Sequence, residues 1–387
     1  MSVETKSLNI ICKIIYTLVT NGCSVSNVSS RASKIKQIAP ILAEYGGILA
    51  KIAQIMTIED GYGTHYSDLR PYALTKTINQ FEIDFKGNKI DFNVFKAGSV
   101  GIIFKGVLKN NDEIVFKVKY IDIEEQFKAD LKILKMISKY LFSGFVEQTF
   151  IIEEISKKLF EELDFIKEKN NQLFVLEKWI LNQSVIIPQI VEELCTDNVI
   201  VSEFIEAEEL FSFISNSSQE QKNNIGNLII QFVFDNIFIH HILYSDIHYG
   251  NFLVQNKNKL VVVDFGILIF LNKSIVILLK NLLKHITNNE KKLFLDTCFE
   301  LGILHNEVSI KSKDYLFKYL SLQLEPFYIQ NFTFSEDWLE KAVKKNELLC
   351  SEWNLPIELI FFNKINYGLF HILTKLKTTI NSMYFHL

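Results

Sequence analysis

Ile242-Leu-Tyr-Ser-Asp-Ile-His-Tyr-Gly-Asn-Phe-Leu-Val254, a polar turn, and Leu260-Val-Val-Val-Asp-Phe-Gly266 form the stretch whose reading decides the fold. Two short apolar runs, Phe252–Val254 and Leu260–Val263, flank the turn Asn256-Lys257-Asn258-Lys259, a pattern that predicts a β-hairpin. Asp246 and Asn251 precede the first strand, while Asp264 ends the second and leads into Phe265-Gly266. Asp246, Asn251 and Asp264 flank the hairpin with side-chain oxygens. A hard cation such as Mg²⁺ prefers ligands of that kind.

Composition bounds what surrounds this stretch. At 387 residues, 48% apolar and 22% charged, the chain is globular and long enough for a substantial core. The net charge of −4 and the absence of a dense Lys/Arg cluster argue against nucleic acid as a partner. Arginine occurs only at Arg31 and Arg70. The five cysteines are scattered and form no Cys-x-x-Cys, so neither a disulfide framework nor a zinc site is expected, and a reducing compartment is. The first residues carry neither a secretory pattern nor the arginines of a transit peptide. No run of 18 uncharged apolar residues exists; the nearest, Asn227–Tyr244, contains Asp235, Asn236 and two adjacent histidines, so no membrane span is expected.

Working outward, Ala39 to Ile58 reads as a helix on which Lys51 and Gln54 share a face; taken alone they are a solvated pair. From Lys89 the period turns to strands: Ile90–Phe95, Ile102–Leu108 and Glu113–Tyr120, an antiparallel sheet. Between the first two lie Ala97, Gly98, Ser99, Val100 and Gly101, whose small side chains let backbone N–H groups approach phosphates. Lys117, mid-strand, either snorkels to solvent or aims its ammonium at a phosphate. Ile121–Phe145 and Gln148–Leu176 read as helices, the second carrying Glu162, Asp164 and Glu168. Val185–Ile190 and Asn198–Ile205 are strand-like, with Glu203 at a candidate hinge; residues 206–222 are polar and turn-rich. A buried helix from Ile225 to His240 follows. Beyond Gly266 the pattern is helical over Ser274–His285, Glu290–Leu304, Ser312–Leu322, Ser335–Cys350 and Pro356–Met383.

The order of these features is the discriminating point: small-residue loop, strand Lys, helix Glu, hinge, Asp-x-x-x-x-Asn, Asp-Phe-Gly. That order and spacing match a kinase catalytic loop and metal loop. Phosphoryl transfer asks for positioning and charge neutralisation. In this reading Asp246 orients or deprotonates the acceptor. Asn251 and Asp264 hold Mg²⁺, Lys117 holds the phosphates of ATP and is held by Glu168, and Ala97–Gly101 covers the phosphates. Glu203 marks where backbone groups meet adenine. His248, next to a better-placed carboxylate, reads as a structural hydrogen-bonding residue, and His240 and His241 as capping or packing residues at a helix end.

Together these residues resemble the UbiB/ADCK group of atypical kinases, a family tied to ubiquinone biosynthesis. Lys51-Ile52-Ala53-Gln54 is similar to its Lys-x-Gly-Gln motif, Ala97–Gly101 to its phosphate loop, and Glu162-Leu163-Asp164 with Glu168 and Asn171 to its Glu-x-Asp region. Tyr244–Asn251 keeps the Asp, His, Gly and Asn of its His-x-Asp-Pro-His-Pro-Gly-Asn loop. The resemblance implies that Lys51, Gln54, Glu162 and Asp164 form a lid over the nucleotide. It also implies ATP binding and ATPase activity rather than general protein phosphorylation. The chain departs from the family at Ala53, Gly98, Tyr244, Ile247 and Tyr249. Loss of both loop prolines is expected to loosen the loop.

The expected fold is α+β: a bilobal protein kinase-like fold with a helical N-terminal extension (residues 1–80), an N-lobe with a helical insertion (81–210) and a largely helical C-lobe (211–387). The expected activity is transfer or hydrolysis of the γ-phosphate of Mg·ATP, toward a small-molecule, lipid or protein acceptor. Two alternatives stand beside it: a catalytically weak pseudokinase scaffold that binds a lipid or partner protein, and a small-molecule phosphotransferase. The expected location is intracellular, in the cytoplasm or peripheral on a membrane, with mitochondria implied by the family alone.

Overall fold

Strand alternation builds the first sheet. β1 (Ile90–Ala97), β2 (Gly101–Val107) and β3 (Glu113–Lys119) pair antiparallel, and Phe104 lies opposite Phe116. In β3, Ile114, Phe116 and Val118 are buried while Val115, Lys117 and Lys119 take the opposite face, as a two-residue period requires. The computed structural model describes residues 41, 77, 90–97, 100–108, 110–141, 157–158, 160–344, 350 and 352–380. Lys51 and Gln54, and nearly all of the expected N-terminal extension, lie outside the described residues, as do Gly98 and Ser99.

The chain divides into two compact units, Met1–Phe174 with Pro188–Phe204, and Val175–Ile187 with Ile205–Leu387. In the first, the sheet is followed by α1 (Ile123–Leu141) and by α2 (Phe165–Trp179), whose residues from Val175 on belong to the second. The expected single helix over 148–176 is broken. A 3₁₀ turn at Glu161–Leu163 precedes Asp164, which leaves helical geometry (φ −90°, ψ 89°) and accepts the backbone N–H of Lys167 at 2.9 Å. A carboxylate that satisfies an orphan N–H starts a new helix there. After β4 (Val185–Ile186), which belongs to the second unit, the chain returns as β5 (Val199–Glu203) and pairs with β3, completing the order β1-β2-β3-β5. The strand expected over Val185–Ile190 is shorter; Ile190 makes only an isolated bridge to Ser202.

The second unit resumes with β6 (Glu208–Glu209) and α3 (Leu210–Asn216), where a turn-rich segment was expected. α4 (Gln219–Phe238) starts at a capping box in which Ser218 accepts from the Gln221 N–H and the Gln221 side chain accepts from the Ser218 N–H. β7 (Ile242–Tyr244), β8 (Phe252–Gln255), β9 (Lys259–Val262) and β10 (Leu268–Phe270) follow. β8 and β9 are the expected hairpin, inside a sheet of order β4-β9-β8-β6, and β7 pairs with β10. Next come α5 (Lys273–Thr287), α6 (Lys291–Glu300), α7 (Ile310–Tyr328), β11 (Phe332–Thr333), α8 (Glu336–Val343), α9 (Ile357–Leu376) and β12 (Thr379–Ile380).

α9 ends earlier than its sequence pattern implies. Lys377 adopts a left-handed φ of 51°, and β12 then pairs with β11. Ile365, Leu369, Phe370 and Leu373 of α9 are buried, each contributing about 1.5–3 kcal/mol of apolar burial. α9 packs against α4 and β7. Among the described residues no helix is long and apolar enough to cross a membrane.

Candidate active site

β7 delivers the chain to Asp246. Ser245 is fully buried, and both its backbone N–H and its hydroxyl donate to the carbonyl of Ile267, at 3.3 and 3.1 Å. Asp246 follows directly. Its Oδ2 accepts from Nδ2 of Asn251 at 2.9 Å, and the same amide donates to the Asp246 carbonyl at 3.0 Å. The Asn251 carbonyl in turn accepts from the N–H of Val263 at 3.0 Å, so Asn251 and the residue before Asp264 are joined through backbone. Asp246 and Asn251 are thus bonded side chain to side chain, and Asn251 is bonded to the residue preceding Asp264. His248 makes the hydrogen bond expected of a structural residue: its Nδ1 accepts from the N–H of Gly250 at 3.1 Å. That bond leaves the ring proton of a neutral imidazole on Nε2.

Asp264 has φ 70°, a left-handed conformation that is uncommon outside Gly and Asn. Its Oδ1 accepts the N–H of Gly266 at 3.3 Å, and its carbonyl accepts the hydroxyl of Tyr244 at 2.8 Å. Phe265 is fully buried with its ring 5.6 Å from that of Tyr244. A non-glycine residue persists in a strained conformation only where its surroundings over-determine it. Here Tyr244, Phe265 and Gly266 do so.

Where its prolines are missing, the loop is held by contacts of other kinds. Tyr244 donates to the carbonyls of Val263 and Asp264, tying the strand before Asp246 to the Asp-Phe-Gly turn. The Ile247 carbonyl lies so close to Gly368 of α9 that a Cβ at 368 would collide with it. Tyr249 donates its hydroxyl to the His371 carbonyl at 3.0 Å, and its ring stacks on Phe211 with centroids 4.3 Å apart. Burial pushes the Tyr249 phenol well above its ordinary range and His371 below its own. Lys364, also on α9, stands 3.9 Å from Oδ1 of Asp246.

Within the first unit, Lys117 pairs with Glu168 at 2.5 Å, their side chains 18% and 2% exposed. The snorkelling alternative for Lys117 is therefore excluded: it is paired inside the fold. Phe165, also buried, lies 5.5 Å from the Lys117 ammonium and 5.6 Å from that of Lys119. Lys119 donates to the carbonyl of Leu163 at 3.0 Å, which fastens the Glu162–Asp164 turn to β3. Glu162 is buried; Asp164 is exposed and caps α2. Of the phosphate-loop residues, Ala97 ends β1 opposite Ile102, and Val100 is buried with its carbonyl accepting from Tyr120. Gly101 begins β2, where a Cβ would strike the carbonyl of Val118. The Glu203 N–H donates to the Gln189 carbonyl at 2.9 Å.

No cluster of three or more His, Cys, Asp or Glu that could hold a metal occurs among the described residues. Asn251 and Asp264 nevertheless carry oxygen donors of the kind a hard cation takes. The Asn251 amide nitrogen is spent on Asp246, turning its Oδ1 to acceptor duty, and Asp264 supplies carboxylate oxygens. Two protein oxygens suffice for a cation otherwise held by substrate phosphates and water. Sequence reasoning missed Lys364, Lys119 and Phe211; only the placement of α9 and α3 distinguishes Lys364 and Phe211 from ordinary surface residues.

Comparison with known proteins decides the family. A model of the ABC1 atypical kinase-like domain matches residues 75–297, more than half of the chain. The chain belongs to the ABC1 atypical kinase-like family. Among curated ABC1-type relatives, probable serine/threonine-protein kinase abkA of Dictyostelium discoideum is 23% identical, over 90% of this chain and 69% of that protein. The probable protein kinase UbiB of Blochmanniella pennsylvanica is 25% identical over 63% of this chain, and AarF domain-containing protein kinase 1 of Gallus gallus is 26% identical over 52%. The chain spans 43% and 39% of the lengths of those last two proteins. The solved complex of Rv3197 with erythromycin, from Mycobacterium tuberculosis, superposes with a TM-score of 0.66 at 20% identity, covering 89% of this chain and 93% of that one. The kinase-like ABC1 fold, mixed in helix and sheet, is established on these grounds.

Proposed function

We propose that this ABC1-family chain binds Mg·ATP and transfers its γ-phosphoryl group to an acceptor hydroxyl or to water. The observation that carries the reading is the buried Lys117–Glu168 pair, since an ammonium fixed by a helix carboxylate is the phosphate-holding device of kinase folds. Lys117 holds the phosphates, and the loop Ala97–Gly101, with Gly98 and Ser99, covers them through backbone N–H groups. Asn251 and Asp264 hold Mg²⁺, which when bound neutralises charge on the β- and γ-phosphates. Asp246 orients the acceptor and takes its proton. As the acceptor oxygen bonds to the γ-phosphorus, the bond from that phosphorus to the β,γ-bridging oxygen breaks and ADP leaves. Glu203, at the end of β5, marks where backbone groups meet adenine, although its own N–H donates to the Gln189 carbonyl. Lys51, Gln54, Glu162 and Asp164 form the lid that the family resemblance implies. A link to ubiquinone or lipid metabolism rests on the name of the UbiB relative.

The test is Mg²⁺-dependent nucleotide binding and ADP release by purified protein, wild type against Asp264→Asn. Loss of both in the variant is the expected result. Undiminished binding and release would overturn the reading.

A further inference from the structure

We propose that Lys364, on the C-terminal helix α9, is a positioning residue for phosphoryl transfer that clamps the Asp246 carboxylate; the proposal rests on the function proposed above. Residues 364, 368 and 371 fall at i, i+4 and i+7 and so share one face of α9. The loop meets that face in the same order. Asp246 lies by Lys364 at 3.9 Å, the Ile247 carbonyl lies against Gly368, and the Tyr249 hydroxyl reaches the His371 carbonyl at 3.0 Å. The helix therefore seats the loop residue by residue, where rigid prolines are absent from positions 247 and 249.

The two oxygens of Asp246 then meet different groups, one a hydrogen-bond donor and the other a cation at 3.9 Å. Oδ2 receives the Asn251 amide and Oδ1 faces the Lys364 ammonium. A hydrogen bond at one oxygen and a cation beside the other together bias the orientation of the carboxylate, and misplacing a catalytic group by about 1 Å can cost about a hundredfold in rate. Stability does not explain the lysine. With side chains 22% and 36% exposed, such a pair belongs to the class that contributes little to folding. Gly368 makes the approach feasible, because any Cβ there would meet the Ile247 carbonyl and push the loop away from Lys364.

The test is steady-state Mg·ATP turnover with thermal unfolding for wild type, Lys364→Ala and Lys364→Arg. Expected for Lys364→Ala is a loss of kcat of about ten- to a hundredfold, with KM for Mg·ATP within about twofold of wild type. Lys364→Arg should recover most of kcat, and neither variant should change the unfolding midpoint. Wild-type kcat in Lys364→Ala would overturn the role of Lys364 while leaving the proposed function standing. So would a raised KM with unchanged kcat, or a fall in midpoint that Lys364→Arg shares. Wild-type protein that turns over no Mg·ATP would overturn both readings.

Discussion

Breaking the Lys117–Glu168 pair offers a measurement of how strongly the fold commits these two side chains to each other. Glu168 is 2% exposed and its Oε1 lies 2.5 Å from the Lys117 ammonium, itself 18% exposed. Removing one member of a buried ion pair leaves an uncompensated charge and costs about 3–5 kcal/mol. The residual exposure of Lys117 places the lysine deletion near the lower end, about 3 kcal/mol. Replacing both by neutral residues of similar size removes the stranded charge, so the double variant should be less destabilised than the two single variants together. Lys117→Met, Glu168→Gln and the double variant, unfolded in urea at a common m-value, give the coupling directly. A coupling of about 2–3 kcal/mol is expected. Additivity within about 0.5 kcal/mol would refute the reasoning and return Lys117 to the status of a solvated strand lysine. Lys117→Met should also weaken Mg·ATP binding, since it removes the group proposed to hold the phosphates.

Other expectations follow from the same geometry. Tyr244→Phe removes the donor to the carbonyls of Val263 and Asp264 and should cost about 1–3 kcal/mol, read from the shift in urea midpoint. Asp264→Asn keeps a residue tolerant of φ 70° and an oxygen for the Gly266 N–H, so its unfolding midpoint should stay near wild type while Mg²⁺-dependent nucleotide binding is lost. Gly368→Ala places a Cβ against the Ile247 carbonyl and should destabilise by about 1–3 kcal/mol, with faster hydrogen exchange at residues 246–251. Burial lowers the His371 pKa from its ordinary 6.5, so below about pH 6.5 the unfolded chain takes up a proton there that the folded chain does not. Stability present above about pH 6.5 is therefore lost as pH falls below it toward the lowered pKa of the folded state. His371→Gln, which keeps the backbone carbonyl that Tyr249 uses, should flatten the fall in unfolding midpoint between pH 7 and 5.

Why parts of this chain were legible in sequence and others not follows from the reach of each signal. The β8–β9 hairpin, the strands around Lys117 and most C-terminal helices rest on local periodicity, which survives in a single sequence. Residues 206–222 were opaque because α3 is short and the capping box at Ser218 looks like any polar turn until its hydrogen bonds close. The break at Asp164 was equally hidden: an Asp inside a helical pattern reads as a solvated charge, and only its bond to the Lys167 N–H turns it into a cap.

Within the candidate site, the order of Lys117, Glu168, Asp246, Asn251 and Asp264 was legible in the sequence, because the proposed chemistry asks for each residue type at a spacing the strands and loops set. That Glu168 pairs with Lys117 across 51 positions was inferred from the residues; the pair itself is made by the packing of α2 beneath β3. The support of the Asp246 loop lay beyond sequence reasoning. Reading the loop alone, the missing prolines at 247 and 249 implied slack. The tertiary fold brings in a helix more than a hundred residues downstream, whose glycine lets the backbones touch, whose carbonyl takes the Tyr249 hydroxyl and whose lysine reaches Asp246. Local patterns specify which chemistry a chain carries, whereas the rigidity of that chemistry depends on distant surfaces brought together by burial of the α9 core.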